Sequence, residues 1–255
     1  MIFTDEQKNE FDRRGFIVVK EFFSGEVIND ISSWLDTLQD NPPDEGQEAK
    51  YYEKSSISGE NILVRVEHIL GDHNPFINRL LLCPRTIQCL TMLFGEPPVL
   101  FKDKVNYKVP GSRPDKLHQD QAAGWNTYTD FFISMCIVID ENRKDNAALT
   151  FLCSGNYEKK LMGEEWRPLT DQDPPYQPEE EYTLLEAKPG DVIFFDSYVP
   201  HGSPANSSSA CRRNIYLTFN RQSAGDMRDK YYRNKWVTYP PNQISNARSE
   251  QSYRV

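Results

Sequence analysis

The chain is short of cysteine pairs, of long apolar runs and of positive charge. Its five cysteines, Cys83, Cys89, Cys136, Cys153 and Cys211, are odd in number and widely spaced. No Cys-x-x-Cys pair suggests structural zinc. The set reads as buried, reduced thiols of a cytoplasmic protein rather than a disulfide framework. Apolar stretches such as 131–139 contain polar residues and are too short to cross a bilayer, so no membrane partner is expected. No basic segment followed by an apolar one opens the chain, so no secretory leader is expected. Lysine and arginine number 29 against 38 acidic residues, a net charge of −9. That balance disfavours nucleic acid as a partner, because nonspecific binding needs a basic face. Internal repeats and low-complexity tracts are also lacking.

A length of 255 residues suits one large β-barrel or jelly-roll domain spanning 1–255. Three parts are expected within it: a helical part over about 1–96, a strand-rich core over about 97–222, and a tail over 223–255. Thr4 with Gln7 fits a capping box, and Gly15 ends that helix. Residues 16–23 read as a strand. Ser24 starts a second helix, with Val27, Ile28, Ile31, Trp34, Leu35 and Leu38 at helical spacing, until Asn41-Pro42-Pro43 stops it. Residues 42–60 read as loop, and 62–70 as a strand in which Arg65 and Glu67 alternate with Val64 and Val66. Further helices start at Asn74-Pro75 and Pro84, the second ending at Gly95.

After Pro97 the pattern changes. Residues 99–109, 131–139, 148–153, 182–186, 192–195 and 215–220 are short runs rich in Val, Ile, Phe, Tyr and Thr, separated by turn residues. No helix-length periodic segments alternate with them, which argues against a doubly wound fold. The expected fold is mainly β, a jelly roll flanked by N-terminal helices. Residues 154–181 form a polar, proline-bearing insertion, of the kind that serves as a lid or a disordered edge. The tail from Tyr231 is expected to pack back on the body.

Chemistry concentrates at two places. His118-Gln119-Asp120 puts an imidazole and a carboxylate at i and i+2, on one side of an extended backbone. His201 follows the strand ending at Asp196. Two histidines and one carboxylate on one face, with the opposite face open, suit a non-haem iron(II) centre that admits an oxo-acid and dioxygen. Arg212, at the entrance to the last strand, can pair bidentately with a carboxylate. Arg212 rather than Arg213 is expected inside, since neighbouring strand residues face opposite ways. Lys104, Asn106 and Lys108 share one strand face and would bring three polar groups to a pocket. Trp125 and Tyr128 are candidate walls.

These residues together resemble the phytanoyl-CoA dioxygenase family. The resemblance rests on Lys104-Val-Asn-Tyr-Lys-Val-Pro-Gly111, His118-Gln-Asp120, Pro189-Gly-Asp-Val-Ile-Phe-Phe-Asp196, Pro200-His-Gly202 and Arg212-Arg-Asn-Ile-Tyr216. Two further stretches, His118–Trp125 and Glu165–Leu169, with Asp226, Arg228, Tyr231 and Tyr232 downstream, look like members acting on 2-aminoethylphosphonate. The resemblance implies a double-stranded β-helix, cupin-like, that uses iron(II), 2-oxoglutarate and dioxygen on a small-molecule substrate. It implies His118, Asp120 and His201 as iron ligands and Arg212 as the anchor for 2-oxoglutarate. Lys104 and Asn106 would assist that anchor, while Lys108, Trp125 and Tyr128 would meet substrate. Two departures fall near the expected substrate mouth: Asn146-Ala-Ala-Leu149 for the usual Asn-Gly-x-Leu, and Ser154-Gly-Asn-Tyr157 for Pro-Gly-Ser-His. Alternatives on the same scaffold are an oxygenase for an acyl-CoA or a specialised metabolite, a radical halogenase, and a non-catalytic cupin-like binder. A halogenase would lack the carboxylate that Asp120 supplies.

Overall fold

The computed structural model describes residues 3–41, 48–152, 158–163, 167–170 and 182–241. Local rules set the helix ends. Thr4 and Gln7 exchange reciprocal bonds at the start of α1 (Asp5–Arg14), and Gly15 closes it in the left-handed region. Ser24 caps α2 (Gly25–Asp40), whose Ile28, Ile31, Leu35 and Leu38 are buried. The helices α3 (Pro75–Leu81) and α4 (Pro84–Phe94) each have proline in the first turn, where a missing N–H leaves no broken bond.

Eleven strands among the described residues form two antiparallel sheets. The larger runs β1 (Phe16–Val19), β9 (Val192–Asp196), β6 (Ile133–Val138), β11 (Arg212–Arg221), β4 (Pro98–Lys108), β3 (Asn61–Glu67) and β2 (Ala49–Lys54). The smaller runs β5 (Asp115–His118), β10 (His201–Ser203), β7 (Thr150–Leu152) and β8 (Tyr182–Leu184). This is the expected jelly-roll architecture, with helices on the outer face of the large sheet.

Alternation along the central strands separates two environments. On β11, Ile215, Leu217 and Phe219 join Ile31 and Leu35 of α2 and Leu90 of α4 in the main apolar core. Burying each of these side chains contributes about 1.5–3 kcal/mol. The intervening Arg212, Asn214, Tyr216 and Thr218 are also buried, but on the opposite, inner face.

The structure corrects or extends several expectations. The mainly helical first part also supplies three of the seven strands in the large sheet, β1 and β3 as expected and β2 in addition. Within 42–60, read as loop, Ala49–Lys54 is a strand paired to β3; residues 42–47 lie outside the described residues. The strand expected over 16–23 stops at Val19, and Glu21 turns the chain at φ 50. The short strands β5 and β10 had no signal of their own. The described part of the tail packs on the body as a helix, α5 (Arg228–Thr238), burying Tyr231, Tyr232 and Lys235; residues 242–255 lie outside the described residues. Most of the insertion read as a lid or a disordered edge lies outside the described residues, as do Cys153 and Glu165-Trp166. Among the described residues, no helix is long and apolar enough to cross a membrane.

The Pro189-Gly190 turn launches β9. Gly190 sits at φ +92, its N–H bonds the Val138 carbonyl, and its carbonyl accepts from Phe23 N. A Cβ here would lie 2.4 Å from the Phe23 carbonyl oxygen. Gly190→Ala is therefore expected to lower the free energy of urea unfolding by about 2 kcal/mol or more, from strain and overlap together. A change below about 0.5 kcal/mol, the usual scatter for a neutral surface substitution, would contradict this account of the turn.

Candidate metal centre and its pocket

Pairing between β5 and β10 places His118 directly opposite His201. Asp120 follows one residue beyond β5, at the start of a 3-10 turn over Asp120–Ala123. Gln119 between them is extended, at φ −113 and ψ 127, so the i and i+2 side chains still share a side. Gln119 points the other way. Its amide nitrogen donates to the carbonyls of Lys160 and Tyr198, and its oxygen accepts from Met162 N.

The hydrogen bonds of both imidazoles define their chemistry. His118 Nδ1 lies 2.6 Å from the Lys116 carbonyl, and His201 Nδ1 lies 3.0 Å from the Val199 carbonyl. A nitrogen facing a carbonyl carries the proton, which leaves Nε2 with its lone pair. The two Nε2 atoms face the same Asp120 Oδ1, at 3.6 and 3.9 Å. Those separations are too long for hydrogen bonds. Asp120 Oδ1 is buried and has no hydrogen-bond partner among the described residues. One donor atom from each of the three residues lies within 4.8 Å of the others. A buried, unsatisfied carboxylate oxygen between two ring nitrogens fits a first-row divalent cation.

The charge states agree with that fit. Burial alone would raise the Asp120 carboxyl, but His201, His118 and Lys104 together hold it well below the usual carboxylate range. Burial, reinforced by His118, pushes His201 down to about 4 against the opposing pull of Asp120. The pair is thus anionic and neutral near pH 7, as metal ligation requires.

The site opens into a cavity of about 330 Å³. Lys104, Asn106, Lys108 and Trp125 line it, as expected. Lys108 is already paired, bonding Asp115 Oδ2 at 2.9 Å and the Arg113 carbonyl at 2.8 Å. Tyr128 corrects the expected wall. It lies outside the cavity lining, packs on Phe101 and Tyr231, and its hydroxyl accepts from Asn234. Arg212 is on the inner face of β11 and 1% exposed, with no hydrogen-bond partner at Nε among the described residues; it stands opposite the lining residue Lys108 but does not itself line the cavity. Its Nη1 reaches the Asn214 side-chain oxygen at 2.8 Å, once that amide is oriented to accept. Arg213 points outward and binds Asp140 twice and Asp36 once. Four residues were not singled out as site residues by the sequence: Lys102, Arg65, Glu67 and Lys235. Lys102 continues the i, i+2 row of Lys104, Asn106 and Lys108, and extending that row two residues back finds it.

The fold and this constellation define an oxidoreductase of the dioxygenase class. The chain belongs to the phytanoyl-CoA dioxygenase family, which it matches over residues 11–214. It is 34% identical over 253 residues to a 2-aminoethylphosphonate dioxygenase of uncultured bacterium HF130_AEPn_1, covering 94% of this chain and 90% of that one. It is 31% identical over 232 residues to a methylphosphonate hydroxylase of Gimesia maris, covering 91% and 86%. In fold it is similar to EctD from S. alaskensis, solved with 2-oxoglutarate and 5-hydroxyectoine. That likeness has a TM-score of 0.72 and 21% identity, and covers 87% of this chain and 77% of that one.

The depressed His201 makes a pH prediction for the metal-free protein. As pH falls below about 6.5, the unfolded histidine takes a proton while the folded one does not until about 4. Stability is therefore complete above about 6.5 and lost between about 6.5 and 4, by on the order of 3 kcal/mol. Urea unfolding at pH 7 and pH 5, with chelator present, should show a steeper acid loss in the native protein than in His201→Gln. Equal losses would mean that His201 is not held neutral by its surroundings.

Proposed function

We propose that the chain is an iron(II)- and 2-oxoglutarate-dependent dioxygenase that hydroxylates a C–H bond of a small phosphonate-type substrate, with release of succinate and carbon dioxide. The observation that carries this reading is the convergence of His118, Asp120 and His201 at a cavity rich in cations. The two phosphonate-oxidising relatives favour the substrate class. His118 and His201 would hold iron through Nε2 and Asp120 through a carboxylate oxygen. Bound iron with 2-oxoglutarate and dioxygen supplies the oxidising power for an unactivated C–H bond.

The protein's own task is orientation and shielding. The Lys116 and Val199 carbonyls fix each imidazole's tautomer. Arg212, buried and short of partners, suits a carboxylate of 2-oxoglutarate, and its burial strengthens that pairing. Lys104 sits within electrostatic reach of Asp120 and favours anionic ligands beside the metal. Phe195, Leu149 and Trp125 line the cavity with apolar surface, which limits water near the reacting centre. We also infer a cytoplasmic setting, supported by four free cysteines among the described residues.

The test is succinate formation by the iron-loaded protein. Methylphosphonate or 2-aminoethylphosphonate is expected to stimulate it, and a long-chain acyl-CoA is not. His201→Ala should abolish both iron retention and turnover. Arg212→Ala should weaken 2-oxoglutarate binding at least about tenfold, the worth of one charged pair. Arg213→Ala should lower the melting temperature through loss of its ties to Asp140 and Asp36, and leave 2-oxoglutarate binding within about twofold. Full activity in His201→Ala, or stimulation by acyl-CoA alone, would refute the reading.

A further inference from the structure

The inner face of β4 carries Lys102, Lys104, Asn106 and Lys108, opposite Thr218, Tyr216, Asn214 and Arg212 of β11. At about 3.4 Å per residue, the Lys102 and Arg212 ends of this row are roughly 20 Å apart along the backbone. A five-carbon dicarboxylate is only about 5 Å between its carboxyl carbons, from C–C bonds of about 1.5 Å. The two side-chain heads also keep separate company. Arg212 reaches Asn214, while Lys102 faces Glu67, Trp125 and Tyr231.

The Lys102 end is unbalanced in charge. Glu67 Oε1 is shared by Lys235 at 2.7 Å, Arg65 at 3.1 Å and Lys102 at 3.6 Å. Lys102 and Glu67 are 1% and 0% exposed. Lys102 Nζ, Arg65 Nε and Glu67 Oε2 have no hydrogen-bond partner among the described residues. Three basic groups thus converge on one carboxylate, a local surplus of base over acid. Burying unpaired charge is expensive, and the arrangement is relieved by a ligand of opposite sign. Lys102 and Arg65 both line the cavity, whereas Glu67 and Lys235 stand behind them. Burial pushes the Lys102 ammonium well below its ordinary value, and Glu67 only partly offsets this.

We propose that Lys102 and Arg65, flanked by Lys104, form the anion subsite of the primary substrate, built for a phosphonate dianion and separate from Arg212 at the far end of the β4–β11 row. Glu67 and Lys235 are its positioning residues. Glu67 holds the two cavity-lining cations together, and Lys235 ties the group to α5. The assignment rests on the oxygenase reading above but is tested apart from it.

The experiment is anaerobic calorimetry on the full-length, cobalt(II)-loaded protein, titrated separately with methylphosphonate and with 2-oxoglutarate. Lys102→Met is expected to weaken methylphosphonate binding at least about tenfold and to leave 2-oxoglutarate within about twofold. Its ligand-free melting temperature should hold or rise, because a buried amine without a hydrogen-bond partner is removed while Glu67 keeps Lys235 and Arg65; a merely structural lysine would give a fall. Arg65→Gln reads the same subsite independently if Lys102→Met folds poorly. Arg212→Ala should show the reverse pattern. Methanesulfonate, similar in shape but singly charged, should bind at least about tenfold more weakly than methylphosphonate at pH 8. The proposal is overturned if both subsite variants bind methylphosphonate like the native protein, or if they lose both ligands equally. It is overturned likewise if the sulfonate binds as well as the phosphonate. Native 2-oxoglutarate binding alongside any of these results would leave the oxygenase reading standing. Failure of the native protein to bind 2-oxoglutarate would remove both.

Discussion

Alternation along β4 from Lys102 to Lys108, and along the facing part of β11 from Arg212 to Thr218, is the constraint on which the rest of the molecule depends. One parity of these strands, Val105, Tyr107, Ile215, Leu217 and Phe219, is committed to the core beneath the helices. The other parity is thereby turned inward, and it brings Lys102, Lys104 and Lys108 to the cavity. A slip of one residue would bury Lys102 and Lys104 in the apolar core and turn Val105 and Ile215 into the cavity. The apolar core thus sets the register, and the register delivers the polar row to the pocket.

A second pairing completes the site from the other sheet. β5 and β10 are short, and they bring two residues 83 positions apart into opposition. Their few ladder bonds matter because they fix where His118 and His201 meet around a carboxylate oxygen that has no hydrogen-bond partner among the described residues. The unsatisfied oxygen on Asp120 and the surplus of cations near Glu67 are of the same kind. Each is an arrangement that folding alone would disfavour, and each is relieved by a ligand of opposite charge.

Much of this was legible in the residues. The helix caps at Thr4, Ser24, Gly15 and Gly95 use local chemistry, and so did the turn at Gly190. The inner and outer faces of β4 followed from alternation. What escaped was non-local. β5 and β10 are too short to carry a periodic signal and exist through their mutual pairing. β2 is polar at Lys50, Glu53 and Lys54, and is a strand because β3 accepts it. Helix α5 has little amphipathic pattern, because Lys235 is buried against Glu67 instead of facing water. Tyr128 was misplaced because an aromatic near a motif can fill either a pocket wall or a neighbouring core. Net charge was the least informative quantity: a chain of −9 surrounds a cavity in which cations dominate, since composition averages over position.

Gln119 links the metal site to its surroundings in a way that matters for anyone reshaping this pocket. The middle residue of His118-Gln119-Asp120 fastens the segment around Lys160 and Met162 and the loop at Tyr198 with one amide group. The stretch that presents two donors on one side therefore clasps two loops on the other. Grafting a different loop over the cavity requires the graft to reproduce one backbone N–H and one carbonyl at the positions Gln119 reaches. A graft that misses them leaves a buried amide unsatisfied directly between His118 and Asp120. Loop exchange and metal geometry are one design problem in this fold, and the three-residue motif is the joint between them.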